Sequence, residues 1–423
     1  ENEGGMGMQY TAAVSVGGQA IQGVLDTGSY ELLVFSTECS TCGGTDGYYN
    51  SSRSSTHEPG HMKVTHSFGS GTTSSQLGYE NVAVGPMQAS RQYFWQVIGA
   101  DMPVAASGGF QAIVGVGPPS TPRSDSLEQA GQAQKMKKEA QANPTYHASE
   151  QAKATFRDAV SLAEEQTLLE NFGVTAFSVC IGRAEGSEGY FTWNDDDPQT
   201  QRPGLFAKVP VAAEMTWGVR LSNVQMQSPG GGAPDVQLGC EGGCGALVDS
   251  GTSLLVVPRE AAQLALQALN GLNSDCSNLD ALPRLAFQLG SEKFSLPPQA
   301  YIGQFVGKLP QSIERFARKT EESTYRACEL LIMTMDIDTQ LGPMWILGLP
   351  FFREYYSTFS LGADVMDRTR RSIYFAEAGD DCQPQMPAGP HALVQRSMRQ
   401  VDLSKVRIPH WVASIADEGS VLM

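Results

Sequence analysis

No uninterrupted apolar run among the 423 residues is long enough to cross a bilayer, which excludes a helical membrane span within them. Basic residues are scarce: 29 Lys and Arg stand against 45 Asp and Glu, a net charge of −16. A nucleic-acid partner needs a basic footprint, so that class of function is set aside. The acidity suits work at low pH, where many of the carboxylates carry protons. Charged residues make up only 17%, with apolar content near the globular average, so neither disorder nor a supercharged surface is indicated. The six histidines show no metal-binding spacing, and no G-x-S-x-G nucleophile elbow occurs. Gly303 to Lys308 lacks the spacing and the hydroxyl of a phosphate loop. Neither a cofactor nor a metal is therefore expected. The chain also starts without a charged-then-apolar leader, so any signal peptide or prosegment is expected to be absent from it.

What is present begins with cysteine. The eight are an even count, and two pairs sit close together, Cys39/Cys42 and Cys240/Cys244. Close pairs point to disulfides and an oxidising compartment. A four-thiolate zinc site built from the same two pairs is the alternative, although nothing around them resembles a compact zinc ribbon. The sequon Asn50-Ser51-Ser52 permits glycosylation.

The length allows two or three domains. Met8 to Val16, Ile21 to Leu25, Leu32 to Phe35, Val64 to Val84, Tyr93 to Ile98 and Ala112 to Val116 read as short strands joined by glycine turns. That spacing predicts an all-β sandwich or barrel. Gly69-Ser70-Gly71 marks the tip of a hairpin. From Ser126 to about Phe172 the texture becomes helical, and Asn143-Pro144 divides it into candidates at 126–142 and 148–171. The second carries an apolar stripe of Phe156, Val160, Ala163, Thr167 and Leu168. This insert reads either as a tolerated surface insertion or as a partner-binding element. Strand texture resumes at Ala176 to Ile181 and continues through Phe206 to Val211, Trp217 to Leu221, Leu285 to Leu289 and Ser372 to Ala376, with a helix over Arg259 to Leu269. After Cys382 the chain is proline-rich and then polar-basic, and reads as a tail.

Two short stretches organise the rest. Val24-Leu25-Asp26-Thr27-Gly28-Ser29 is matched far downstream by Leu247-Val248-Asp249-Ser250-Gly251-Thr252-Ser253. Each reads as a buried strand that stops at one carboxylate on a small, hydroxyl-rich loop. Either alone is ordinary turn chemistry, but two in matching apolar contexts suggest an internal duplication whose halves share a cleft. Two carboxylates within hydrogen-bonding reach cannot both ionise cheaply, so one keeps its proton. Such a pair can hold a water, with the ionised acid taking its proton and the neutral acid donating to the carbonyl under attack. Gly28 and Gly251 let the backbone turn tightly beside the acids. Thr27 and Ser250 are placed to exchange hydrogen bonds between the halves, and Ser29 and Thr252 to bond the outer oxygens.

On these residues the chain resembles the pepsin-like aspartic endopeptidase family, the pepsin and cathepsin D group, from about Tyr10 to Ala378. Both acid loops fit, as do Cys240-Glu241-Gly242-Gly243-Cys244 before the second and the late motif Trp345-Ile346-Leu347-Gly348 with Phe351, Arg353, Tyr355-Tyr356 and Phe359. Ile113-Val114-Gly115 occupies the corresponding place in the first half. The resemblance implies a bilobal all-β fold with two barrel-like lobes, a joining sheet and a long cleft for extended peptide. It places the first lobe at residues 1–185 with an insert at about 120–172, the second at 186–381, and a tail at 382–423. It implies Asp26 and Asp249 as catalytic acids, polypeptide substrates, inhibition by pepstatin-type compounds, a monomer, and the secretory pathway, whether secreted or in a lysosome- or vacuole-like compartment. It also implies disulfides Cys276–Cys328 and Cys39–Cys42. Cys180 and Cys382 have no usual counterpart, and their pairing is a hypothesis.

Two departures qualify the match. The family usually carries a flap tyrosine followed by glycine, and here the position is Phe68-Gly69. It usually has a tryptophan seven residues after the first acid, bonded to that tyrosine, and here that residue is Leu33. Losing both ends of one hydrogen bond is close to neutral, whereas losing one strands a polar group. The flap is therefore expected to close through apolar contact of Phe68 with Leu33, Val24 and Phe110. The leading reading is an active acid endopeptidase that cuts between bulky apolar residues. The second is a pseudoprotease of the same fold that binds peptide or a partner protein. Basic residues of the tail, Arg396, Arg399, Lys405 and Arg407, vaguely resemble a prosegment, and the tail reads as inhibitory, as the start of a further unit, or as a loose terminus.

Overall fold

The structure, a computed structural model, describes residues 9–43, 47–68, 71–102, 109–119, 150–183, 187–231, 234–306, 327–364, 367–386 and 399–402. The first helical candidate at 126–142 and the flap residue Gly69 lie outside the described residues.

The first lobe is a seven-stranded sheet. In spatial order it runs Thr11–Val16, Gln19–Asp26, Ala112–Gly115, Leu32–Phe35, Met87–Asp101, Gly71–Val84 and Glu58–Phe68. Thr11–Val16 also pairs with Gly71–Val84, Val14 opposite Val84, which rolls the sheet into a barrel. Leu32–Phe35 and Ala112–Gly115 are buried on both faces, which is why they read as unbroken apolar runs rather than alternating ones. The hairpin Glu58–Phe68/Gly71–Val84 alternates instead, with Gly60, Met62, His66 and Phe68 of its first strand turned inward.

The second lobe repeats the plan within a nine-stranded sheet. Gln19–Asp26 runs parallel to Ala112–Gly115, with Asp26 opposite Gly115, while Leu32–Phe35 returns antiparallel on the far side. Likewise Cys244–Val248 runs parallel to Gly342–Leu347, and Leu255–Val257 returns antiparallel to it. Each apolar pair ends in a glycine because the loop after the acid passes directly over it. A β-carbon on Gly115 would stand 2.4 Å from the Glu31 nitrogen, and one on Gly348 would stand 2.1 Å from the Leu254 oxygen.

A third sheet joins the lobes, in the order Ala207–Pro210, Ser372–Ala378, Tyr355–Ser360, Ala176–Ile181 and Gly189–Trp193. Phe177 stacks on Phe191 and Phe359 at 5.0 and 4.9 Å between ring centres. Trp217, fully buried, lies edge-on to Phe359 and donates its indole N–H to the Val116 carbonyl of the first lobe at 3.0 Å. One continuous apolar core therefore runs from lobe to lobe through this sheet. All four cysteine pairs are bonded: Cys39–Cys42, Cys240–Cys244, Cys276–Cys328 and Cys180–Cys382. The thiolates of the two close pairs are thus consumed in disulfides, which removes the zinc alternative.

Two sequence expectations need correction. The helix expected over 148–171 is two helices, Glu150–Leu162 and Leu168–Asn171. Thr167 starts the second with a capping box, its hydroxyl accepting from the Glu170 N–H while the Glu170 carboxylate accepts from the Thr167 N–H, so the chain turns there rather than continuing. Ala154, Ala159 and Leu162 are the buried face, and Val160, placed in the stripe, is exposed. The helix braces the hairpin: Asp158 accepts from the backbone N–H groups of His61 and Met62. Nor is the whole tail loose. Gln400–Asp402 adds a parallel strand to Ile302–Val306, Val401 is fully buried, and Arg399 donates to the Arg183 carbonyl.

Candidate active site

Asp26 ends one buried strand and Asp249 follows another, because in each lobe the apolar run stops where the chain must turn over the glycine of its parallel partner. Both acids are almost completely withdrawn from solvent. Their inner surroundings are symmetric. Asp26 Oδ1 accepts from the Gly28 N–H at 3.0 Å, and Oδ2 accepts from the Ser29 hydroxyl at 2.6 Å. Asp249 Oδ1 accepts from the Gly251 N–H at 2.8 Å, and Oδ2 accepts from the Thr252 hydroxyl.

The two loops are tied to each other by a crossed brace. Thr27 Oγ1 donates to the Val248 carbonyl at 2.9 Å and accepts from the Ser250 N–H at 2.8 Å. Ser250 Oγ donates to the Leu25 carbonyl at 2.8 Å and accepts from the Thr27 N–H at 3.1 Å. Four hydrogen bonds that reach across 221 to 225 residues of sequence thus fix one acid against the other. Truncating Thr27 to Val keeps the shape but strands the Ser250 N–H and the Val248 carbonyl. The expected cost is about 2 kcal/mol of stability, read as a lowered urea midpoint at unchanged slope.

This approach leaves no room for side chains on the loop glycines. A β-carbon on Gly251 would lie 2.1 Å from Asp26 Oδ1, and one on Gly28 would lie 2.6 Å from the Asp249 carboxyl carbon. Burial holds the Asp249 carboxyl well above the usual carboxylate range, and the charge and hydrogen bond of Asp26 push it the same way. The Thr252 hydroxyl and Gly251 N–H pull it down by less.

Beside the acids, Phe68, Leu33, Val24 and Phe110 share one buried apolar cluster with Phe35, Trp95 and Ile113. Phe110 meets Phe35 edge-on at 6.0 Å between ring centres. Three polar residues of this region escaped the sequence reading: Glu31, His66 and Trp95. Trp95 Nε1 donates to Glu31 Oε1 at 2.8 Å, and His66 Nε2 lies 3.0 Å from Glu31 Oε2. His66 falls on the same alternation as Met62 and Phe68, so strand parity was the signal that could have found it.

Two β-lobes that each contribute one carboxylate to a shared, buried site define a class of bilobal, dyad-bearing folds. The chain belongs to the eukaryotic aspartyl protease family, whose profile matches residues 9–370. Among curated proteins it is similar to pepsin A of Bos taurus, 26% identical over 365 residues, covering 84% of this chain and 82% of that one. It is similar to renin of Echis ocellatus, 26% identical over 381 residues, covering 87% and 80%. It is also similar to cathepsin E of Rattus norvegicus, 25% identical over 372 residues, covering 84% and 78%. This homology supports an aspartic endopeptidase function, and the four disulfides are consistent with a secretory pathway.

Proposed function

We propose that the protein is an aspartic endopeptidase that hydrolyses internal peptide bonds of polypeptides at acid pH, through a water activated between Asp26 and Asp249. The observation that carries this is the crossed brace of Thr27 and Ser250, which holds two buried carboxylates close enough for one to raise the other's proton affinity. Burial and the neighbouring charge disfavour two anions, so the pair holds one shared proton, and with that proton on Asp249, Asp26 acts as the base. It takes a proton from the water while Asp249 donates to the carbonyl oxygen, and the tetrahedral adduct collapses as the proton on Asp26 passes to the leaving nitrogen and one hydroxyl proton of the adduct returns to Asp249. The pair then returns to one shared proton, with no covalent intermediate. A preference for bulky apolar residues beside the scissile bond fits the apolar character of the neighbouring Phe68, Leu33 and Phe110 cluster, which is itself buried. A monomer in a secreted or lysosome-like setting, inhibited by pepstatin-type compounds, fits the same reading.

A second reading has one observation in its favour. Phe68 and Leu33 are both buried without any hydrogen-bonding group, so the flap lacks the polar grip that the resemblance leads one to expect. On that reading the cleft binds peptide without cutting it. Digestion of an unstructured protein from pH 3 to 7, with and without pepstatin, separates the two. The proposal expects pepstatin-sensitive internal cleavage on the acid side. Peptide binding without cleavage at any pH would select the second reading.

A further inference from the structure

The side chains of Phe68 and Leu33 carry no hydrogen-bonding group, and apolar contact between them is not directional. A directional link between this strand and the Asp26 loop comes from other side chains. Glu31 lies in the loop between Asp26 and Leu32–Phe35, and its carbonyl accepts from the Gly115 N–H at 2.9 Å. Its backbone is therefore pinned to the glycine beneath the Asp26 loop. Its carboxylate reaches the opposite way, accepting the indole N–H of Trp95 on one oxygen and meeting His66 on the other.

These three residues come from separate parts of the barrel. Trp95 lies in Met87–Asp101, directly across the parallel register from Leu33, and is almost fully buried. His66 lies in Glu58–Phe68, two residues before Phe68 and on the same inward face. Its ring stands edge-on to Trp95 at 5.3 Å between centres and is only 8% exposed. Nδ1 of His66 is buried and has no partner among the described residues, so Glu31 is the imidazole's polar anchor. A carboxylate opposite Nε2 requires the proton on that nitrogen, and His66 therefore donates to Glu31. Charge-assisted bonds of this kind are the strong ones in a partly desolvated site.

We propose that Glu31, His66 and Trp95 form a clasp that positions the flap strand over the Asp26 loop, and so act as positioning residues for the hydrolysis proposed above. The clasp links the backbone that carries Phe68 to the backbone that carries Asp26 through one carboxylate.

The test compares His66→Leu, which keeps apolar bulk but cannot donate, with His66→Gln, whose side-chain N–H extends to a similar reach. The first readout is amide hydrogen exchange across residues 58–68 and 71–84, which does not depend on cleavage. The second is kcat and KM on an extended peptide. In His66→Leu we expect flap amides to exchange roughly tenfold faster and kcat/KM to fall by about as much, through both a raised KM and a lowered kcat. His66→Gln is expected to recover most of both. Equal exchange in wild type and His66→Leu would overturn the clasp, as would a Gln variant no better than Leu. If His66→Leu does not fold, His66→Phe, which keeps a flat ring against Trp95 but cannot donate, decides by the same exchange measurement: faster flap exchange supports the clasp and unchanged exchange refutes it. A wild type that cleaves nothing would sink the proposed function, while the exchange result would still judge the clasp.

Discussion

Asp26→Asn and Asp249→Asn are each expected to lower kcat/KM by about three orders of magnitude or more, ~4 kcal/mol of transition-state stabilisation. The two variants fail for different reasons. Asparagine at 26 can no longer take the water's proton. Asparagine at 249 still offers an N–H toward the carbonyl oxygen, but it cannot pass a proton to the oxygen as charge develops. Because the acids act as one unit, the double variant should be little worse than either single one. Additive losses would mean that the carboxylates work independently, and wild-type cleavage surviving in either variant would remove the dyad from the mechanism. Both substitutions conserve volume, which matters where a single added carbon on Gly251 would meet Asp26 at 2.1 Å.

The second large effect concerns stability, and its sign is opposite to that of the activity loss. Asp249 ionises in the unfolded chain near its ordinary value of 3.8, whereas burial and the Asp26 charge raise its pKa in the folded protein. Between those two pKa values the folded state holds a proton that the unfolded state has released. Stability therefore falls as pH rises through that window, and the whole penalty remains above it. Asp249→Asn carries no such charge. It should melt several degrees above the wild type at neutral pH, and the gap should close as pH falls toward 4. Thermal midpoints of both proteins across that range measure it. A gap independent of pH would show that the buried carboxyl is not what destabilises the neutral form. On the proposed mechanism an inactive variant would then be the more stable one, since the proposed chemistry uses the proton that burial favours on the pair.

A pair of acids raises the question of what can be read without a fold. Asp26 and Asp249 were legible because the code for them is local. An apolar strand, an acid, a hydroxyl residue and a glycine follow one another within six positions, and the repeat makes each copy evidence for the other. The glycines of Ile113-Val114-Gly115 and Ile346-Leu347-Gly348 belong to the same code, since each lies under the loop that its partner strand feeds. The close disulfides were legible for the same reason. Cys180–Cys382 could be offered only as a hypothesis, because 202 residues separate its halves and no spacing rule covers that distance, and the structure bonds them.

The helix expected over 148–171 shows the limit of periodicity. Composition favoured helix throughout, and a single capping box at Thr167 broke it. The strand at Gln400–Asp402 shows the limit of texture. A polar-basic stretch reads as loose terminus until Ile302–Val306 offers it an edge to pair with.

The sequence by itself determined which two residues are the acids, which small residues must flank them, and that the chain is a duplicated β-structure, because each of these is set within one turn of its own strand. Only the tertiary structure decided how the acids act on each other. The raised proton affinity of Asp249 depends on burial and on the Asp26 carboxylate of the other lobe, and the brace of Thr27 and Ser250 joins loops more than 220 residues apart. Only the tertiary structure, too, brought Glu31, His66 and Trp95 together. Each looks like an ordinary residue of its own strand or loop until the barrel closes and one carboxylate finds two N–H donors.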